Sequence, residues 1–143
     1  MAYQISVFLE NKPAHLEQLT AVLENANINI RAVTVSTGAS GWGIVNMLVD
    51  QPEEGCEALK ASQHAAVLRP IVVVELEDRP GGLRQILTLL KDAGLNVENA
   101  YGSVLGKEKR AVLVIDVQSV QQAEQILADA GIRVLGETEI YSL

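Results

Sequence analysis

The sequence predicts an α+β fold of two tandem βαββαβ units. Three observations predict it. Apolar residues alternate at period two in some stretches and step by three and four in others, so strands and helices interleave. The order strand-helix-strand-strand-helix-strand occurs twice within 143 residues. The chain also repeats itself. Pro13 and Pro80 stand 67 positions apart (80 − 13), and residues 5–34 align without gaps at that offset, with Asn25/Asp92, Ile28/Leu95 and Ile30/Val97 as conservative pairs. Repetition at a fixed offset governs the whole architecture. The order is the split β-α-β, or ferredoxin-like, one, an antiparallel four-stranded sheet with two helices on one face. The units are residues 1–69 and 70–143.

In the first unit, Ile5, Val7 and Leu9 alternate with Gln4, Ser6 and Phe8 as in a strand. Leu16, Leu19, Leu23 and Ala26 step by three and four along one helix face. Asn27 ends that helix, because asparagine tolerates the left-handed conformation. Ile28–Val35 holds the second strand and Gly43–Val49 the third, with Thr37–Gly41 as the turn between them. Asp50 and Glu53 read as a capping box for a second helix with a thin apolar face of Cys56, Leu59 and Ala61. Ala65–Arg69 is a short fourth strand. Pro70 punctuates the chain there, without a Gly/Ser linker.

The second unit repeats the order. Ile71–Leu76 is a strand, and Leu83, Ile86, Leu87, Leu90 and Ala93 share a helix face that Gly94 terminates. Asn96–Leu105 is a strand with a bulge expected at Gly102, Gly106–Lys109 a turn, and Ala111–Val117 a strand. Ser119 and Gln122 form a second capping box, ahead of a helix carrying Ala123, Ile126, Leu127 and Ala130. Ile132–Ile140 contains the last strand. Ile71–Val74 and Val112–Ile115 are apolar on both faces, where a strand with one wet face alternates. The face away from the helices is therefore expected to be covered, most simply by a second copy in a homodimer.

Composition excludes several functions. The net charge is −7, and the only basic cluster, Lys107, Lys109 and Arg110, is interrupted by Glu108. Nucleic-acid binding needs clustered cations to neutralise phosphates. Cys56 is the only cysteine, so no intrachain disulfide and no multi-thiolate metal site is possible. Its acidic neighbours Glu54 and Glu57 mark it as a small apolar residue rather than a reactive thiol. No apolar run approaches a membrane span, and no secretory leader is visible; a cytoplasmic protein with no membrane partner is expected. His15 and His64 are the only histidines. Neither joins a nucleophile elbow or a metal-ligand spacing, so no catalytic residue, metal or cofactor is assigned. Gly38, Gly41 and Gly43 lie between two strands, not between a strand and a helix as in a nucleotide loop.

The candidate site lies in the two strand-to-helix turns. In Leu76–Leu83, Asp78 is placed to cap a helix and Pro80 to open it. Gly81 and Gly82 let groups approach the backbone. Helix-opening N–H groups favour a carboxylate. Asn11, Lys12, Ala14 and His15 stand at the matching positions of the first turn, Leu9–Leu16. Asp78-Arg79-Pro80-Gly81-Gly82-Leu83 after a strand, followed one helix later by Gly94-Leu95-Asn96-Val97, resembles the signature of ACT domains, small regulatory modules that bind amino acids. The resemblance spans the whole chain as two ACT-like units and is looser in the first turn, where Ala14 and His15 add bulk. It implies that units pair side by side and hold a ligand between the turn of one and the second-strand region of its neighbour. Asn11 and Asp78 then supply the polar position, and Ala14, His15, Leu16, Gly81, Gly82 and Leu83 the helix opening. Asn29 and Asn96 supply the asparagine of the second strand. The expected protein is a stand-alone regulator binding a small amino acid, without activity of its own. The alternatives are a protein-interaction module regulating a partner enzyme without a small ligand, and a small enzyme on the same scaffold; fold alone does not choose.

Overall fold

The structure is a computed structural model that describes residues 1–105 and 110–141. The turn read at Gly106–Lys109 lies outside the described residues. The order is β1 (Ala2–Glu10), α1 (His15–Asn25), β2 (Ile30–Thr37), β3 (Trp42–Val49), α2 (Pro52–Ala61), β4 (Ala65–Glu77), α3 (Gly82–Asp92), β5 (Val97–Leu105), β6 (Arg110–Val117), α4 (Val120–Asp129), β7 (Arg133–Val134) and α5 (Glu137–Tyr141). The fold is α+β, as the two hydrophobic periods required. Two compact units divide at Pro70: Tyr3–Arg69, and Pro70–Ile140 with Met1 and Ala2.

The chain does not break at the division. Separate strands were expected before and after Pro70, yet β4 runs unbroken from Ala65 to Glu77. Proline fixes a φ that extended backbone accepts and removes only one donor, so it is tolerated where that donor is not needed.

In the first unit β3 lies between β1 and β2 and is antiparallel to both, with Val7 opposite Val45 and Val35 opposite Val45. Ile5, Val7, Val45, Met47 and Val49 meet Leu19 and Leu23 of α1 and Cys56 and Leu59 of α2 in one core. Ala61 was assigned to the buried face of α2 but is exposed. Gly55 is buried in that face instead: a Cβ there would lie 3.0 Å from Ile5 Cδ1, so its absence lets the helix settle onto β1.

The second unit mirrors this, with β6 antiparallel to both β4 and β5 and β7 antiparallel to the other edge of β4. Val72, Val74, Leu113, Ile115 and Val117 pack on Ile86 and Leu90 of α3 and on Val120, Ala123 and Leu127 of α4. The last strand is only Arg133–Val134, and α5 follows it where strand was expected; Gly136 separates the two.

The bulge expected at Gly102 lies elsewhere. Register shifts between Val97 and Asn99, and at the matching Ile30 and Ala32 of the first unit. Gly102 has another role: a Cβ there would stand 2.9 Å from the Val112 carbonyl oxygen. The expected cover by a second copy is also corrected. Ile71, Val73 and Ile115 are 0 % exposed and Val114 2 % exposed in the single chain. These side chains are buried without a second copy.

None of the expected side-chain caps forms. α3 is capped by Gly81 in the left-handed conformation, not by Asp78, and Pro80 precedes the helix rather than opening it. α2 is capped by Gln51, with Pro52 as its first residue, not by Asp50. Ser119 is the N-cap of α4 but makes no side-chain cap bond. In each case the backbone geometry of the turn sets the helix start.

Candidate functional site

The two strand-to-helix turns share one hydrogen-bond pattern. In the first, Lys12 N–H donates to Glu10 O (2.9 Å), His15 N–H to Lys12 O (3.2 Å) and Gln18 N–H to Ala14 O (2.9 Å). In the second, Arg79 N–H donates to Glu77 O (3.0 Å), Gly82 N–H to Arg79 O (3.0 Å) and Gln85 N–H to Gly81 O (3.1 Å). Ion pairs repeat too, Lys12–Glu10 at 3.1 Å and Arg79–Glu77 at 2.8 Å. Both N-cap residues are left-handed, Ala14 at φ 74° and Gly81 at φ 86°. Glycine enters that region without penalty, whereas alanine is strained there.

Next to this strain, His15 makes a bond that its counterpart Gly82 cannot. Its ring Nδ1 lies 2.7 Å from the Glu10 carbonyl oxygen. A carbonyl only accepts, so Nδ1 carries the proton and Nε2 of the neutral ring is an acceptor. Asn11, Lys12, His15 and Leu16 line a small cavity of about 60 Å³ with Leu9, Val35 and Thr37. The end of β2 was not assigned to the site. Topology was the available signal: β2 runs parallel to β1, so its last residues return to the turn.

Asn29 lies elsewhere. Its N–H donates to Asp50 Oδ1 at 2.9 Å, and Asp50 N–H donates to Asn29 O at 3.1 Å. This clasp holds the start of β2 against the end of β3 and occupies the carboxylate expected to cap α2. Asn29 and Asp50 line an open cavity of about 460 Å³ with Thr20 and Glu24. Within one unit, the turn and the asparagine are thus at opposite ends of β2. Asn96 is likewise exposed immediately ahead of β5.

In the second turn Asp78, Gly81 and Leu83 are exposed and Gly82 is buried. A Cβ on Gly82 would lie 2.4 Å from the Glu77 carbonyl oxygen, so only glycine fits this path. Gly82 borders a cavity of about 290 Å³ that also contains Arg79, Arg110 and Arg133. Arg110 Nε and Arg133 Nη1 (2.8 Å) both donate to the Glu75 carboxylate. The Arg110 bond, foremost, holds Glu75 below the usual carboxylate range against the opposing effect of burial. Sequence spacing gave no signal for this cluster.

Cys56 is buried, and burial raises its thiol pKa, only partly offset by Lys60. Among the described residues, no group of acids, cysteine and histidine suits a metal ion, and no helix is long and apolar enough to cross a membrane.

A family model described as an ACT domain pair matches residues 1–143. The chain belongs to that family. The crystal structure of protein BT0572 from Bacteroides thetaiotaomicron is similar at 28 % identity and TM-score 0.90, covering 99 % of this chain and 96 % of that one. The ligand-free regulatory subunit of aspartate kinase from Thermus thermophilus shares the fold at 18 % identity and TM-score 0.65, covering 90 % of this chain and 91 % of that one. The Thermus flavus regulatory subunit of aspartate kinase does so at 18 % identity and TM-score 0.61, covering 90 % and 92 %. A search of the curated proteins finds no match.

Proposed function

We propose that this ACT domain pair senses a small amino acid and has no chemistry of its own. The observation that carries the proposal is the duplicated turn: two copies of one hydrogen-bond pattern, each opening a helix whose first N–H, of His15 or Gly82, donates back into the turn while the next N–H groups have no intrahelical acceptor. Such a helix start favours a carboxylate. Asn11, or Asp78 in the second turn, and the Nε2 acceptor of His15 suit an ammonium group. The cavity of about 60 Å³ at the first turn is far below the usual size of a ligand site, so the turn supplies only part of one. We assign the remainder to the asparagine, Asn29 or Asn96, of a neighbouring unit in a side-by-side homodimer. Two features support such pairing. β2 ends its sheet order, and its Val33 and Val35 are 49 % and 52 % exposed. An apolar edge strand is a template for a second chain.

The test is a thermal-shift screen of the twenty amino acids, followed by calorimetric titration of Asn29→Ala and Asn96→Ala. A ligand at a hundred times its Kd stabilises by about 2.7 kcal/mol. Unchanged affinity and stoichiometry in both variants would reject the asparagines as contacts. No thermal shift with any amino acid would reject the ligand class.

A second reading is a protein-interaction module that regulates a partner enzyme without a small ligand. It is favoured by the exposed stack of Phe8 on Trp42, ring centroids 5.2 Å apart, beside exposed Ile44. Phe8→Glu separates the two: it abolishes a docking role and leaves amino-acid binding unchanged.

A further inference from the structure

α5 has no counterpart in the first unit. There the fourth strand runs on through Pro70 as the unbroken β4, whereas in the second unit β7 stops at Val134 and α5 follows. A helix of five residues is too short to stand alone in water, so α5 is held from outside. Ile140 is 0 % exposed, while Glu137, Thr138 and Glu139 are exposed. Arg133 Nη2 donates to Glu139 Oε2, and Nη1 of the same guanidinium donates to Glu75 Oε2 at 2.8 Å. The Glu75 side chain is 11 % exposed and also accepts from Arg110 Nε. Arg133 thus ties α5 to a carboxylate anchored in the sheet.

The charges go with α5 and not with the strands that carry them. Glu75 matches Phe8 at the 67-residue offset. Arg110 faces Glu77 across the sheet as Trp42 faces Glu10. Arg133 lies between Ile132 and Val134, which pack on the core, as Val67 lies between core-packed Ala66 and Leu68. The first unit builds the same strands with Phe8, Trp42 and Val67, and it carries no such helix. The charged trio occurs in the unit that has a chain end to hold.

We propose that α5 is a latch that opens while the rest of its unit stays folded, with Arg133 as the clasp. Ordering five residues costs conformational entropy, and burial of Ile140 offsets only part of it. The balance rests on the ionic contacts around Arg133, which salt weakens. Gly136 is the hinge: it is exposed, and open space surrounds the place where a Cβ would stand. On the strand side of that hinge, Leu135 N–H donates to Val73 O at 2.8 Å, so β7 keeps its pairing when α5 leaves. The helix-side core of the unit draws on β4, β6, α3 and α4 and loses nothing. Opening is therefore local. It uncovers Ile140, an apolar contact that ionic conditions switch on and off.

Hydrogen exchange of the whole chain, followed by NMR, tests this at the Ile140 N–H, which donates to Gly136 O at 3.1 Å. The amides of β4 and β6 report the unit. Ile140 is expected to exchange faster than they do. Arg133→Val copies Val67 of the first unit and is expected to speed exchange at Ile140 about fivefold, the weight of one well-anchored surface ion pair, with the β4 and β6 amides unchanged. Sodium chloride at about 1 M is expected to speed Ile140 in the unmutated chain by a similar factor and to leave Arg133→Val where it was. Glu139→Gln alters the clasp from the helix side and is expected to act in the same direction; it decides the matter if Arg133→Val does not fold. Unchanged exchange at Ile140 in the folded variants would overturn the proposal. So would acceleration of Ile140 together with β4 and β6, which would make the network a brace for the whole unit and not a latch.

Discussion

Ala14→Gly is expected to stabilise the protein, although it removes a methyl group and loosens the unfolded chain. Ala14 is the N-cap of α1 at φ 74° and ψ −15°. An L-residue in this region costs about 1–2 kcal/mol relative to glycine. Glycine raises the entropy of the unfolded chain by about 0.4–1 kcal/mol. The difference favours Ala14→Gly by about 0.5–1 kcal/mol. Gly81 offers the reciprocal experiment at the matching position, φ 86°. A Cβ there would meet only Arg79 Nη1 at 3.7 Å, an ordinary contact, so Gly81→Ala tests backbone strain without a steric clash. It is expected to destabilise by about 1 kcal/mol. Differential scanning calorimetry of the three proteins measures this. One kcal/mol moves Tm by about 2–4 °C in a chain of this size. If Ala14→Gly lowers Tm while Gly81→Ala leaves it unchanged, the left-handed caps are not where the strain lies.

Gly82→Ala is expected to destabilise more than Gly81→Ala, because its Cβ would stand 2.4 Å from the Glu77 carbonyl oxygen; urea unfolding of the two variants ranks them. Cys56 is buried with a raised thiol pKa, so a thiol reagent at neutral pH should label it only at the rate of opening, and denaturant should release full labelling. Glu75 has a lowered pKa in the folded protein. Its contribution is fully present above the ordinary value of 4.5 and fades as pH falls through the folded value. Glu75→Gln should therefore flatten acid destabilisation below about pH 4.5, as read by thermal melts across pH.

The elements legible in the sequence were those whose apolar period is long and uninterrupted. α1 and α3 each carry an apolar stripe repeated at the same offset, and their exits at Asn27 and Gly94 are both left-handed, φ 59° and φ 72°, as their residue types implied. Helix entries were not legible. Asp50, Asp78 and Ser119 are good cap residues by type, but a cap also needs its side chain aimed at the helix. Asp50 is drawn to the Asn29 N–H instead. At Asp78 the turn needs Gly81 as cap, three residues further on. The continuous β4 was hidden because proline reads as punctuation unless the missing donor is known to be unneeded. The turns were legible as a site by repetition, whereas the Glu75–Arg110–Arg133 cluster was not. Its members come from three strands, and the repeat replaces them by apolar residues in the other unit.

The two copies of the turn have diverged around one carbonyl. Glu10 and Glu77 occupy matching positions, and each accepts the N–H two residues on. At Glu77 that oxygen presses so close on the backbone of Gly82 that no Cβ fits. At Glu10 the same oxygen receives the His15 ring. The first turn therefore presents an imidazole to a narrow cavity, while the second presents bare backbone to a wider one flanked by guanidiniums. Imidazole Nε2 as an acceptor favours a donor group on a ligand; arginine favours a carboxylate. A shared hydrogen-bond pattern with opposite side-chain polarity predicts unequal affinities wherever both turns hold a ligand. His15→Gly isolates this difference. It removes the imidazole contact while the pattern of the second turn shows that glycine is compatible with the path. Titration of that variant should change affinity only at the site built on the first turn; a change at both would mean that the turns act as one site.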